Sequence, residues 1–461
     1  IRITLIESSE IGIIGVGEGT IPTIRATMNT IGVDEATFMR EANASFKQGI
    51  KFVNWTHAPE NKPDDWYYHS FSHQRAMENG GSLTPYWLMG LAGDARYSDA
   101  VCLQDVLCEA NRAPKTAQHA PYLGPMSYAY HFDAGKLAAL LKRLATKRGV
   151  RHLIGNVEQV ALGEDGAIDH IRTREHGDLR ARLYVDSTGF AGVLIEQSLG
   201  EKFRSLNDVL FVDRAVAIQV PYANDDEPVK VATSSTAHEA GWTWDIPLID
   251  RRGVGYVYSS AHTSDERAEE VLRAYIGPAA DGLSARRLKL RVGERKRNWV
   301  KNCVAVGLSA GFLEPLESTG IMMSEVAAHL ISLLYTPDGD MTAAANLFNR
   351  SMGERFHAVT DFIKLHYCLT ERTDSPFWID NTRPETIPDS LHERLAIWRH
   401  RPPDVFDFPS LHECFEASNY QYILYGMEFE TKVTPALYPD RDAALREFER
   451  VRGAAKQAMA K

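Results

Sequence analysis

The feature that most constrains this fold is the opening run. Residues 1–10 read IRITLIESSE, in which apolar side chains alternate as along a buried strand and the strand stops on an acid, Glu7. Then comes IGIIGVGEGTIPTI, where Gly15, Gly17 and Gly19 permit positive φ angles and close backbone approach. In a dinucleotide-binding βαβ unit, the GxGxxG turn follows the first strand and an acid ending the second takes the ribose hydroxyls. Glu7 occupies that second position. The fingerprint is not among these residues, so the expectation is a unit whose first strand, glycine turn and first helix are missing from this sequence. The alternative is a buried edge strand with a solvated Glu7; the segments downstream decide between them.

The rest of the chain supports a nucleotide-binding α/β enzyme. Lys plus Arg number 51 against 61 Asp plus Glu, a net charge of −10 over 461 residues, with no basic run to neutralise successive phosphates. Nucleic acid is therefore not an expected partner. No apolar stretch approaches the roughly 20 residues that cross a bilayer, and no basic n-region leads into an apolar h-region; a cytoplasmic protein without membrane association is expected. The five cysteines contain no CxxC pair, and neither a zinc site nor a disulfide framework is implied.

ASFKQGIKFVNW places Lys47 just before an apolar run containing Ile50, Phe52 and Val53. Residues 61–130 are rich in aromatics, Pro and Gly and read as an insertion covering a site. FDAGKLAALLKRLATKRG has Leu137, Leu140, Leu141 and Leu144 on one helical face. VRHLIG, VEQVAL, AIDHIRT and LRARLYVDSTG follow as a meander returning to a parallel sheet, and 205–262 reads as a second sheet. The expectation is an α/β, FAD-binding Rossmann-like domain of the GR2-type, flavin monooxygenase-like kind over 1–60 and 130–335. A mainly helical, substrate-covering module takes 61–129 and 336–461.

Two turns point to the cofactor. YVDSTGFAG runs from a strand through Asp186 into a small-residue turn at Gly189, and CVAVGLSAGFLEP does the same at Gly307. Such turns aim backbone N–H groups at an anion or a flavin edge. After a ribose-type acid and a glycine loop, they favour FAD.

These residues now carry a family resemblance. GWTWDIP (241–247) with FLEPLESTG (312–320) resembles the flavin-dependent tryptophan halogenases, ASFKQGIKFVNW resembles the segment bearing their catalytic lysine, and IGVGEGTIPT resembles their flavin strap. The matches run in family order to about Gly320, and the later helical portion is similar more loosely. The resemblance implies Lys47, Glu317 and Ser318 as catalytic residues, with Lys47 acting as an ammonium that hydrogen-bonds hypohalous acid or as an amine that becomes a haloamine. It implies a strap of Gly15, Val16, Gly17, Glu18, Gly19 and Thr20 that contacts FAD together with Glu7, Gly189 and Gly307. Halide would sit at the backbone of Thr319 and Gly320, and Trp242, Trp244, Ile246, Pro247, Phe312 and Pro315 would wall a tunnel from flavin to substrate. Implied partners are chloride or bromide, a separate flavin reductase that supplies reduced FAD, and a second copy of the chain in a homodimer.

His69 and Phe71 in DDWYYHSF are similar to the pair that packs on an indole in that family. Tryptophan-specific members anchor the amino acid with adjacent tyrosines and a glutamate, whereas SNYQYILYGMEFETK offers Tyr420, Tyr422 and Tyr425 at spacings of two and three, with Glu428 as counterpart. Indole or a substituted indole is thus expected ahead of free tryptophan. Taken singly, Lys47 reads as a solvated lysine, Glu317 as a helix N-terminal carboxylate and the two tryptophans as same-face strand residues; it is their order together that favours function. The competing functions are an aromatic hydroxylase on the same flavoprotein scaffold and a non-catalytic flavin-binding protein.

Overall fold

The computed structural model describes the chain apart from residues 14, 225, 409, 411, 412 and 461. The opening strand Thr4–Glu7 pairs in parallel with Arg151–Ile154, placing Glu7 opposite Ile154; its alternation does not mark a buried strand as expected, since Leu5 in this two-stranded sheet and Ile3 just before it are exposed. A parallel pair needs a crossover, and the helix Ala134–Lys147 leads into the second strand. Asp133 caps it by accepting from Lys136 N–H, and Leu137 and Leu140 are its buried residues, with Leu141 and Leu144 packed beside them. A second parallel pair joins Tyr184–Asp186 to Cys303–Ala305. Between these pairs lies a three-stranded antiparallel sheet of residues 157–162, 168–173 and 177–179; VRHLIG, expected in the same meander, instead forms the parallel partner of Thr4–Glu7. The α/β, flavin-enzyme-like architecture read from the sequence is the one observed.

The larger sheet has seven strands. From one edge they are 286–289, 214–221, 251–258, 241–247, 233–238, 49–53 and 66–70. Neighbours run antiparallel except Gly49–Val53, which lies parallel to Thr233–His238. Trp66–Ser70 is therefore an edge strand of this sheet, although its surroundings read as an aperiodic insertion; pairing to Gly49–Val53 puts His69 opposite Ile50. A smaller sheet sets Glu18–Gly19 and Ser45–Lys47 on either side of Ala129–Phe132. Strap and lysine segment thus share one central strand.

The C-terminal part is mainly helical. The helix Thr342–Cys368 has 27 residues, and every residue from Ala358 to Tyr367 is buried, including Asp361, Lys364 and His366. Ala417–Gly426 packs onto Trp66–Ser70, where Tyr67 leaves no room for a Cβ at Gly426, the nearest ring atom lying 2.5 Å from that position. Among the described residues no helix is long and apolar enough to cross a membrane.

Candidate active site

Lys47 ends the short strand Ser45–Lys47, fully buried, where the small sheet hands over to the large one. Its Nζ donates to Ser318 Oγ at 2.7 Å and lies 5.3 Å from the Phe71 ring centroid. Burial lowers Lys47 to about 7, with the charge of Glu317 opposing. Ser318 is a non-glycine residue at φ 57°, the left-handed turn that leads into the helix Thr319–Leu334. A residue held there is strained, and such strain gathers where geometry serves function.

The strap lies directly on this pair. A Cβ at Gly19 would fall 2.9 Å from Ser318 Oγ and 3.2 Å from Lys47 Nζ. On its other side, a Cβ at Gly253 would meet the Val16 carbonyl at 2.0 Å, and Gly17, at φ 93°, packs on Gly253 and Ile246. Thr20 fixes the end of the strap, its hydroxyl donating to Tyr130 O at 2.7 Å. Glu18 is half-buried, and burial pushes it up to about 7 although Val16 N–H donates to it.

Glu317 is fully buried between two imidazoles. His69 Nδ1 lies 2.8 Å from Oε2 and His366 Nε2 lies 2.9 Å from Oε1, the latter too poorly aligned to count as a hydrogen bond. Burial alone would raise this carboxylate, but the charge of His69, the His366 contact and the His69 hydrogen bond hold it at about 2. On the far side of His69, Nε2 lies 2.9 Å from Asn419 Nδ2, so the helix Ala417–Gly426 reaches the carboxylate through one ring. The His69 and Phe71 rings meet edge-on with centroids 6.3 Å apart, and Phe71 thereby links His69 to Lys47. The structure gathers Lys47, Ser318, Glu317, His69 and Phe71 at one place. Sequence reasoning missed His366 and Asn419; the available signal for His366 was a helix, VTDFIKLHYC, whose Asp, Lys and His share no polar face.

Trp242 and Trp244 stand on the strand Gly241–Pro247 with ring centroids 6.4 Å apart. Trp244 fills the space left by Gly255, where a Cβ would be 2.1 Å from its ring. Pro247 O accepts from Ser45 Oγ at 2.5 Å, which ties the tryptophan strand to the lysine strand. Phe312 meets Phe190 edge-on at 5.8 Å, and Pro315 opens the turn that carries Glu317. Thr319 and Gly320 start the 16-residue helix, where the first N–H groups have no partner within the helix; Gly320 is exposed, with open space where a Cβ would be.

The other residues expected from the sequence to contact a cofactor have a geometry that a dinucleotide fits. Gly189 and Gly307, at φ 67° and 68°, follow two adjacent parallel strands at their carboxyl ends, where α/β sheets bind nucleotides. Nothing lies within 4 Å of a Cβ position at Gly189, so the backbone is open to close approach. Glu7 keeps a partly exposed carboxylate 2.8 Å from His152 Nε2 and 3.1 Å from Lys142 Nζ. Asp186, by contrast, is internal, accepting from Thr188, Leu194 and Ile195 N–H and so shaping the Gly189 turn.

Tyr420 and Tyr425 lie farther out. Tyr420 is fully buried against Phe362 and Trp398, its hydroxyl accepting from Arg394 at 3.0 Å. Tyr425 packs on Trp87 and Tyr97 with its hydroxyl at Thr431. Tyr422, whose hydroxyl donates to Ser72 O, comes nearer, its ring 6.4 Å from that of His69. Glu428 is paired with Lys62 and His57.

The fold recurs in known proteins. The family model for tryptophan halogenases matches residues 1–441. The chain belongs to the tryptophan halogenase family. The tryptophan 6-halogenase SttH of Streptomyces toxytricini is 36% identical over 481 aligned positions, covering 99% of this chain and 90% of the relative. The solved tryptophan halogenase of Shewanella frigidimarina superposes with TM-score 0.95 at 38% identity, over 100% of this chain and 88% of that one. Tar14, a tryptophan C-6 flavin-dependent halogenase from taromycin biosynthesis, gives 0.94 at 41% identity, over 100% and 92%. This family member is thus an enzyme, a flavin-dependent halogenase.

Proposed function

We propose that this halogenase uses reduced FAD, oxygen and chloride or bromide to make hypohalous acid, and that Lys47 presents the halogen to an indole ring. One observation carries the reading: the fully buried Lys47 donates to Ser318 Oγ at 2.7 Å, and the fully buried Glu317, next to Ser318 in the chain, has two imidazoles closing on its carboxylate. Bound reduced FAD supplies, with oxygen, the oxidation of halide; the strap, Glu7, Gly189 and Gly307 would hold it. Thr319 and Gly320 N–H groups would hold the halide, an anion at a helix start. Trp242, Trp244, Ile246, Pro247, Phe312 and Pro315 would separate flavin from substrate and keep water out.

In this reading the Lys47 ammonium donates to the oxygen of hypohalous acid. The carbon–halogen bond forms as the halogen–oxygen bond breaks, and the oxygen leaves as water with the Lys47 proton. Glu317 takes the ring proton, which restores aromaticity, and Ser318 returns it towards Lys47. The neutral amine, halogenated to a haloamine, is the other form of the same delivery. His69 and Phe71 would pack the ring.

The names of the relatives favour tryptophan as substrate. The engaged hydroxyls of Tyr420 and Tyr425 and the ion-paired Glu428 favour a smaller indole without the amino-acid group. Reduced FAD would come from a separate flavin reductase; a homodimer and a cytoplasmic location complete the proposal. The test supplies FAD, a flavin reductase and chloride or bromide with tryptophan and indole in competition, and reads product mass and isotope pattern. Halogenated indole in excess supports the smaller substrate, halogenated tryptophan in excess the larger. A hydroxylated product without halogen would overturn the halogen transfer proposed for this site.

A further inference from the structure

The turn Pro315–Glu317 is a 3-10 turn, in which residues three apart lie on one side. Glu314, just before it, and Glu317, at its end, therefore project together towards the helix Thr342–Cys368. That helix receives them at neighbouring residues, His366 meeting Glu317 and Tyr367 meeting Glu314, where Tyr367 Oη donates to Oε1 at 2.6 Å. Trp242 Nε1 donates to the same oxygen at 3.2 Å. Glu314 is 1% exposed, and its Oε2 has no hydrogen-bond partner among the described residues.

A buried carboxylate with two donors on one oxygen and none on the other is costly, and the fold gains little stability from keeping it. The charged group that faces it is Lys364, itself buried and donating to Asn381 Oδ1 at 3.0 Å. Burial pushes Glu314 up to about 7, against the hydrogen bonds of Tyr367 and Trp242 and the charge of Lys364. The Trp242 ring continues the connection: it lies 6.3 Å from Trp55, which lies 5.2 Å from Tyr367 and 6.1 Å from His366.

We propose that Glu314 is a positioning residue which, by accepting from Trp242 and Tyr367 together, fixes the Trp242 indole against the helix that carries His366. Wall and reaction centre then keep one register, and hypohalous acid stays on the path to Lys47. This rests on the reading of Trp242 as a wall.

The test uses the full chain with FAD, a flavin reductase, bromide and indole. It measures brominated product per reduced flavin consumed, and escaped hypobromous acid as the sulfoxide of added methionine. Glu314→Leu is expected to lower product per flavin about tenfold, as for one lost buried hydrogen-bond acceptor, with a matching rise in sulfoxide and unchanged FAD affinity. Glu314→Gln, which keeps a carbonyl acceptor, is expected to recover most of the coupling. Wild-type coupling in Glu314→Leu while Trp242→Ala leaks would overturn the proposal alone, and so would a Gln variant that leaks as much as Leu. Wild-type coupling in Trp242→Ala would overturn the wall and the proposal with it. Should Glu314→Leu fail to fold, Tyr367→Phe removes one of the two donors; a partial leak is expected, and none would count against the proposal.

Discussion

Glu317→Gln isolates the charge at the centre of the site while keeping its volume. Burial draws Lys47 down to about 7 and the Glu317 charge resists, so the neutral amide removes the resisting influence. Two unit charges roughly 6–8 Å apart in an effective dielectric of about 20 interact by roughly 2–3 kcal/mol, or about two pK units. Lys47 should then titrate near ~5, and at pH 7.5 its ammonium fraction falls about 100-fold. If the ammonium presents hypohalous acid, kcat/KM for halogenation drops by at least that order at pH 7.5 and recovers only in part as pH is lowered, because Lys47 regains its proton below its pKa while the amide still cannot take the ring proton. The assay is a pH–rate profile from pH 5 to 9 at saturating reduced FAD, with FAD affinity measured separately. An inflection at the same pH in the variant and the wild type would refute the electrostatic coupling, and a wild-type rate that climbs with the amine would place the chemistry in the haloamine form.

Lys47→Met is expected to abolish halogenation while FAD still binds, measured by product formation and flavin fluorescence. The same variant tests stability: a lysine lowered from 10.5 to about 7 on folding leaves the unfolded chain holding more protons between those values, so wild-type stability rises with pH across that window, and denaturant melts of Lys47→Met should lack this rise. Glu317, held at about 2 against an ordinary 4.5, gives a slope of the same sign in a lower window; its stabilisation is complete above pH 4.5 and lost as pH falls towards 2, and Glu317→Gln should flatten acid melts there. Gly253→Ala puts a Cβ 2.0 Å from the Val16 carbonyl and should displace the strap, weakening FAD about tenfold or more by equilibrium titration with little change in the far-UV spectrum.

Much of this was legible in the sequence, for physical reasons that can be named. Glu7 announces itself because a strand alternates at period two and then stops on an acid, and the helix of Leu137 and Leu140 because its apolar residues repeat near period 3.6. Glycines speak where the backbone is constrained, as at Gly17, whose φ is 93°, and Gly19, where a Cβ would fall 2.9 Å from Ser318 Oγ. Trp66–Ser70 escaped because it carries aromatics on both faces, leaving no alternation to read. His366 and Asn419 escaped because their roles exist only through space. Asn419 meets His69 across 350 residues, and His69 meets Glu317 across 248; no local period encodes either contact.

That last chain of contacts bears on how substrate choice and catalysis are joined. Glu317 comes from the turn before the helix Thr319–Leu334, its ring partner His69 from the edge of the large sheet, and Asn419 from the C-terminal helices. A shift of the helix Ala417–Gly426 would turn His69 through Asn419 and change the hydrogen bond at 2.8 Å that keeps Glu317 charged. Because a buried carboxylate gains its proton when it loses donors, such a shift would alter proton acceptance from the ring before it altered packing around the ring. Asn419→Ala should therefore move the acid limb of the halogenation pH profile upward for whichever indole is used. An Asn419 that served packing alone would instead change KM between substrates and leave that limb in place.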